Sequence, residues 1–191
     1  MKCSYFTETY EGLQKTEVTC AKSAISFNEG VDLWVKRARD TQQKGGLLFF
    51  CGNGASATMA EHMSHDWFQN AQVNTYTCSE TSHITAISND VSYADVFAYR
   101  IERVLTDRDI LVTISSSGNS PNVIRAIEEA KKKGAFVVTL SGKGGENRSR
   151  QLGDLNFYVP LDTYGLVESA HSVLLHSVLD EFLERYMGGR H

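Results

Sequence analysis

Five short apolar runs, separated by stretches of helical spacing, restrict what this chain can fold into more than any other feature. They are LLFFC at 47–51, VNTYTC at 73–78, DILVTIS at 109–115, AFVVTLS at 135–141 and LNFYVPL at 155–161. Such runs read as strands buried on both faces, the usual condition of strands in a parallel sheet. Between them, residues 56–69, 92–105 and 121–133 carry helical spacing, and 165–186 reads as a long final helix. Parallel neighbours need crossover connections, so the pattern predicts an α/β fold: a five-stranded parallel sheet flanked by helices. In such a sheet ligands bind at the carboxyl ends of the strands, and the residues just after each strand are the first candidates for chemistry.

The segment before the first strand is different. From Ser4 to about Lys44 it is polar with spaced apolar positions, among them Phe27, Val31, Leu33, Trp34, Val35 and Ala38, and it closes on Lys44-Gly45-Gly46. This predicts an N-terminal helical arm with a glycine stop. Gly12 and Gly30 each cost about 1 kcal/mol relative to alanine inside a helix, so two helices are expected there. The chain of 191 residues has no repeat of solenoid period, no low-complexity tract and no linker rich in proline or serine. A single domain over 1–191 is therefore expected, with the arm at 1–44 decorating a core at 45–191.

Charge and cysteine usage exclude several functions. The net charge is -4, and the basic run Lys131-Lys132-Lys133 falls at the expected C-terminal end of a helix, where the macrodipole favours cations. Neither feature suits a nucleic-acid surface. Cys3, Cys20, Cys51 and Cys78 lack CxxC spacing, and Cys51 and Cys78 end apolar runs, so reduced thiols are expected. No signal-peptide pattern and no apolar run approaching the roughly 18 residues of a membrane span are visible, which points to a cytoplasmic protein without a membrane partner.

Two loops stand where ligands bind. The first run leads into Gly52-Asn53-Gly54-Ala55-Ser56, whose small residues permit a tight turn with amides aimed at a ligand, and Ser56 can cap the helix or donate a hydroxyl. A plain strand-to-helix connection has the same composition, and the dinucleotide fingerprint and Walker lysine are both missing. The third run leads into Ser115-Ser116-Ser117-Gly118-Asn119-Ser120, with Pro121 at the expected first helical position. Four hydroxyls around a helix N-terminus, with no cation in the loop, suit a phosphate monoester held by neutral donors. The competing reading is a serine-rich turn with an N-cap.

Ionisable side chains gather on two helices. His62 and Asp66 are four residues apart, hence on one face, and an imidazole and a carboxylate at that spacing can grip a divalent metal. Glu61 and His65 share the spacing, and either pair can equally be a solvated helix pair. Glu168, His171 and His176 are the polar candidates on the otherwise apolar last helix. Asn89-Asp90, taken alone, reads as a turn.

The segment ISSSGNSPNVIRAIEEAKKKGAFVVTLSG is similar to the signature of SIS (sugar isomerase) domains, in which a serine-rich loop binds the phosphate of a phosphosugar. GNGASA, TSHITAISNDVSYADVF and SAHSVLLH resemble the phosphoheptose isomerases in particular, and the likeness runs from about Leu47 to the last helix. This resemblance implies the SIS fold, a homotetramer with sites at subunit interfaces, and contacts through the arm and last helix. It implies conversion of sedoheptulose 7-phosphate to D-glycero-D-manno-heptose 7-phosphate, in bacterial heptose synthesis, by a metal-assisted enediol route. The metal set so implied is His62, Asp66, Glu168 and His176 around one zinc ion, with Asp66 and His176 catalytic. The implied substrate contacts are Asn53, Gly54, Ala55, Ser56, Asp66, Asn89, Asp90 and Glu168 for the sugar, and Ser115, Ser116, Ser117 and Ser120 for the phosphate. His171 falls to a supporting or packing role.

The chain also departs from the family pattern. Asp66 is one methylene shorter than the usual glutamate, and Glu168 replaces a glutamine, adding negative charge at the metal. Gln69-Asn70 stands where an arginine is common, and Leu166-Val167-Glu168 where Arg-Ile-Gln is. All four metal positions keep polar groups, which favours a variant isomerase. The alternative is a non-catalytic SIS protein, either a phosphosugar-sensing regulator or an adaptor that binds a replication initiator, and metal content discriminates the two.

Overall fold

The structure, a computed structural model, describes residues 4–189, so Cys3 lies outside the described residues. The arm contains strands as well as two helices, a correction to the all-helical expectation. Helix α1 (Tyr5–Gln14) is followed by a hairpin, β1 (Glu17–Cys20) and β2 (Ser23–Ile25), and then by α2 (Phe27–Gln43). The hairpin turn is Ala21-Lys22, both at positive φ (47° and 69°), whose twist matches that of paired strands. Helix α2 starts with a capping box, in which Ser26 Oγ accepts from the Glu29 amide (3.2 Å) and the Glu29 carboxylate accepts from the Ser26 amide (2.8 Å). Gly12 and Gly30 are contact glycines inside the two helices: a Cβ at Gly30 would lie 2.6 Å from Val18 and one at Gly12 2.5 Å from Leu161.

The five expected strands are β3 (Leu47–Gly52), β4 (Asn74–Thr77), β5 (Ile110–Ser115), β6 (Phe136–Gly142) and β7 (Leu155–Val159). The sheet has seven strands in the order β2-β1-β7-β6-β5-β3-β4, because the hairpin pairs antiparallel with β7 while the other five run parallel. Val18 of β1 pairs with Phe157 of β7, which is how a segment outside the parallel core joins it. Strand β4 lies at the edge and is only partly covered, unlike β3, β5 and β7.

Helices cover both faces. On one side α2, α3 (Ala55–Gln69) and α8 (Tyr164–Tyr186) pack Trp34, Trp67, Phe157 and Phe182 into one core. On the other side α4 (Thr81–Asp90), α5 (Ala98–Val104) and α6 (Pro121–Lys132) bury Phe49, Ile101 and Ile127. The stretch 92–105 is a 3-10 turn at Tyr93–Asp95 followed by α5, and α4 and the short α7 (Arg148–Leu152) were not expected. Packing against the sheet outweighs the weak helix propensity of the Thr, Ser, Asn and Asp residues in α4.

One buried histidine joins α8 to the sheet. His171 is fully buried, with Nε2 3.2 Å from the Ser141 carbonyl at the end of β6. Desolvation holds its pKa down at about 4 against an ordinary 6.5, with the Ser141 hydrogen bond opposing weakly. A depressed histidine favours folding fully above its unfolded pKa. As pH falls through 6.5 towards 4 the unfolded chain takes up the proton and the folded one does not. Stability is therefore expected to drop by about 3 kcal/mol across that window, and His171→Leu to flatten this part of the curve, as read by urea midpoints at a series of pH values.

Candidate functional site

The site begins where β3 and β5 end side by side, with Gly52 in register with Ile114 and Ser115 with Ser141 of β6. A Cβ on Gly52 would lie 2.7 Å from both the Ile114 carbonyl and the Ser56 Cβ, so only glycine lets α3 start this close to the sheet. Ser56 is buried against that turn, and Gly54 takes φ +59° as the chain enters α3. The Asn53 side chain is held from two directions. It exchanges amide hydrogen bonds with Asn122 (2.9 and 2.8 Å), and its Oδ1 also accepts from Tyr93 Oη (2.9 Å). Asn122, in the first turn of α6, is almost fully buried and ties the glycine loop to the serine loop. Sequence reasoning missed this residue, although an asparagine directly after a helix-starting proline is a usable signal.

The serine loop is held just as firmly. Gly118 sits at φ +63°, and its amide donates to the Ser115 carbonyl (3.0 Å). The Gly142 amide donates to the Ser116 carbonyl (3.1 Å) and the Ser149 amide to the Gly118 carbonyl (2.9 Å). Asn147, buried behind the loop, donates to Ser141 Oγ (3.1 Å) and the Gly144 carbonyl (2.9 Å) and accepts from the Arg150 amide (3.0 Å). Among the described residues Ser116 Oγ is buried without a partner, and Ser120 precedes α6 without making a capping bond. Ser117 Oγ accepts from the Asn119 amide at 3.3 Å. Together with the first amides of α6, these hydroxyls can receive an anion.

A second cluster forms between α3 and α8, whose contact is built on Trp67 against Phe182 (ring centroids 5.0 Å). His62 Nε2 lies 3.3 Å from Asp66 Oδ2, and the His62 and His176 rings are 5.2 Å apart. One ligand atom from each of His62, Asp66 and His176 falls within 4.8 Å of the others. Glu168, half-buried two turns earlier on α8, does not join them within the chain. Glu61 lines a pocket of about 170 Å³ with Gly52, Asn53, Gly54, Cys78 and Tyr93, whereas His65 is exposed. Asn89 and Asp90 stand exposed at the end of α4, bonded to each other at 2.8 Å. Cys20, Cys51 and Cys78 are free, and burial pushes the Cys51 thiol up and the Cys78 thiol to about 12.

A parallel sheet with a serine loop ahead of α6 defines a SIS-domain protein, and residues 17–142 match the family model of the SIS domain. The phosphoheptose isomerase of Helicobacter pylori is 31% identical over 191 residues, covering 94% of this chain and 98% of that protein. The corresponding enzyme of Nitratidesulfovibrio vulgaris is 36% identical over 169 residues, covering 82% and 81%. The solved phosphoheptose isomerase of Neisseria gonorrhoeae superposes with a TM-score of 0.81 at 26% identity, covering 94% of this chain and 96% of that one. The chain belongs to the phosphoheptose isomerase family of SIS-domain proteins, and is by that membership an isomerase. Among the described residues no helix is long and apolar enough to cross a membrane.

Proposed function

We propose that this protein converts sedoheptulose 7-phosphate to D-glycero-D-manno-heptose 7-phosphate through an enediol, at the site formed by His62, Asp66 and His176. The observation that carries the reading is their convergence within 4.8 Å from two separate helices. Two imidazoles and one carboxylate suit zinc and leave coordination open, so these residues fit the ion that the family implies. Zinc held there would supply electrophilic stabilisation of charge on the enediolate oxygens.

The chain's own groups account for the proton movements. Asp66, its side chain 19% exposed, removes a proton from C1 and returns it to C2. His176 moves the accompanying proton between the oxygens on C2 and C1. Ser115, Ser116, Ser117 and Ser120 receive the 7-phosphate. Gly54, Ala55 and Ser56 offer the backbone of the turn to the sugar. Asn53 contributes mainly through its backbone, since its amide already serves Asn122 and Tyr93. Asn89, Asp90 and Glu168 complete the sugar contacts, and Glu168 also becomes a metal ligand when subunits associate.

We read residues 1–191 as one cytoplasmic domain that assembles into a homotetramer. Exposed Phe6 (83%) and Tyr10 (62%) on α1 and Val173 (50%) on α8 support contacts through the arm and last helix.

Incubation with sedoheptulose 7-phosphate and zinc, followed by NMR, tests the reading. Aldose signals and solvent exchange at C1 are expected, with Asp66→Asn slower by about a hundredfold or more. Absence of exchange at C1 at high enzyme concentration excludes this substrate.

A further inference from the structure

The serine loop contains no cation, but a lysine follows the strand whose end is bonded to it. Lys143 follows β6 directly, and the preceding Gly142 amide is bonded to the Ser116 carbonyl, so the two loops share a hydrogen bond. Lys143 adopts φ +57°, a left-handed conformation that costs a residue with a Cβ about 1–2 kcal/mol and a glycine almost nothing. Glycines flank it on both sides, at 142 and 144, yet the strained position carries lysine. The strain is enforced from outside: the Lys143 amide donates to the Leu161 carbonyl (3.0 Å), and Tyr158 Oη donates to the Lys143 carbonyl (2.7 Å).

The side chain is as unusual as the backbone. The half-buried Lys143 places Nζ 3.9 Å from the centroid of Tyr164, the first residue of α8. A helix N-terminus repels cations, and Lys143 makes no ion pair among the described residues. A cation–π contact is its one stabilising partner there. The backbone next to Lys143 is tied to a loop built for an anion, and that loop keeps an unpartnered buried hydroxyl on Ser116.

We propose that Lys143 is a binding and specificity residue for the anionic end of the substrate. On binding, its ammonium leaves the Tyr164 ring on its flexible four-carbon stem and pairs with the phosphate monoester held by the serine hydroxyls. The chain thereby selects a phosphorylated sugar over the free sugar. This rests on the phosphosugar reading of the same site.

Phosphate binding by calorimetry, melting temperature, and kcat and KM for sedoheptulose 7-phosphate are measured on wild type, Lys143→Met, Lys143→Arg and Lys143→Gly. Lys143→Met should weaken inorganic phosphate and raise KM by about tenfold or more, with kcat nearly unchanged, because the lost pair is charge-assisted. Lys143→Arg should retain most of the affinity. Lys143→Gly should lose affinity like the methionine variant while melting no lower than wild type, since glycine relieves the strain. Wild-type affinity in Lys143→Met, or a loss in Lys143→Gly that tracks a fall in melting temperature, overturns the assignment. A wild-type protein that binds phosphate through Lys143 but isomerises nothing refutes the isomerase reading and leaves the lysine in place; turnover that ignores Lys143 does the reverse.

Discussion

His176→Ala is expected to lower isomerase turnover by about a thousandfold and to strip the purified protein of stoichiometric zinc. The size follows from the two tasks assigned to one side chain. Losing an acid that moves a proton between substrate oxygens costs about 10²–10⁴ in rate, and losing a ligand from a three-residue set removes the charge stabilisation as well. Folding should survive, because His176 is only half-buried and lies outside the core built by Trp67 and Phe182. The informative measurement pairs metal analysis with kcat and the melting curve. A variant that keeps its fold, loses zinc and loses turnover supports the His62, Asp66 and His176 assignment. One that loses zinc but turns over at the wild-type rate contradicts the catalytic role of the cluster, while its turnover still excludes a non-catalytic phosphosugar sensor.

The shorter carboxylate gives a local test of the same geometry. Asp66 Oδ2 already reaches to 3.3 Å from His62 Nε2 across one helical turn, so the missing methylene does not prevent the pair from forming. What the missing methylene changes is the reach of the carboxylate towards a substrate carbon, and a misplacement of about an ångström can cost on the order of a hundredfold.

Most of what could be read in advance was local. Four of the five runs became β3, β5, β6 and β7 because strands covered on both faces must be apolar almost throughout, and the fifth, the more polar VNTYTC, became the partly covered edge strand β4. The hairpin at Glu17–Ile25 was not legible: its turn is Ala-Lys, without the glycine or asparagine that usually signals positive φ, and β2 is mostly exposed. Helix α4 was hidden for a similar reason, since TSHITAISND favours turns until tertiary packing decides otherwise. In the site, spacing offered His62 with Asp66 and Glu61 with His65 equally, and only the family resemblance chose the first pair, just as it alone separated His176 from His171. The structure gives the physical difference: His171 is sealed under β6 and His176 faces His62. Asn147 carries no pattern of its own, because its function is to satisfy other loops that come together only in the fold, and Asn122 is marked only by the proline before it.

Gly118→Ala is expected to destabilise the protein by about 3–5 kcal/mol and to weaken phosphate and substrate binding by more than tenfold. Two costs add. An L-residue at φ +63° pays about 1–2 kcal/mol in backbone strain. The new Cβ would also lie 2.1 Å from Asn147 Oδ1 and 2.3 Å from its Cγ, so Asn147 must move. Asn147 cannot rotate freely, because it is buried and bonded to Ser141 Oγ, the Gly144 carbonyl and the Arg150 amide, each bond being worth about 1 kcal/mol. A loss of that size is a large share of the 5–15 kcal/mol that holds a typical domain folded, and corresponds to a melting temperature lower by about 10 °C for a chain of this length. Gly54→Ala is the matched control, since Gly54 has φ +59° but open space around it. It should show the strain and little more. Equal destabilisation of the two variants would mean that the buried Asn147 contact costs nothing to displace. A larger loss at Gly118, with phosphate affinity falling alongside, would tie the anion site to the asparagine that braces it from behind.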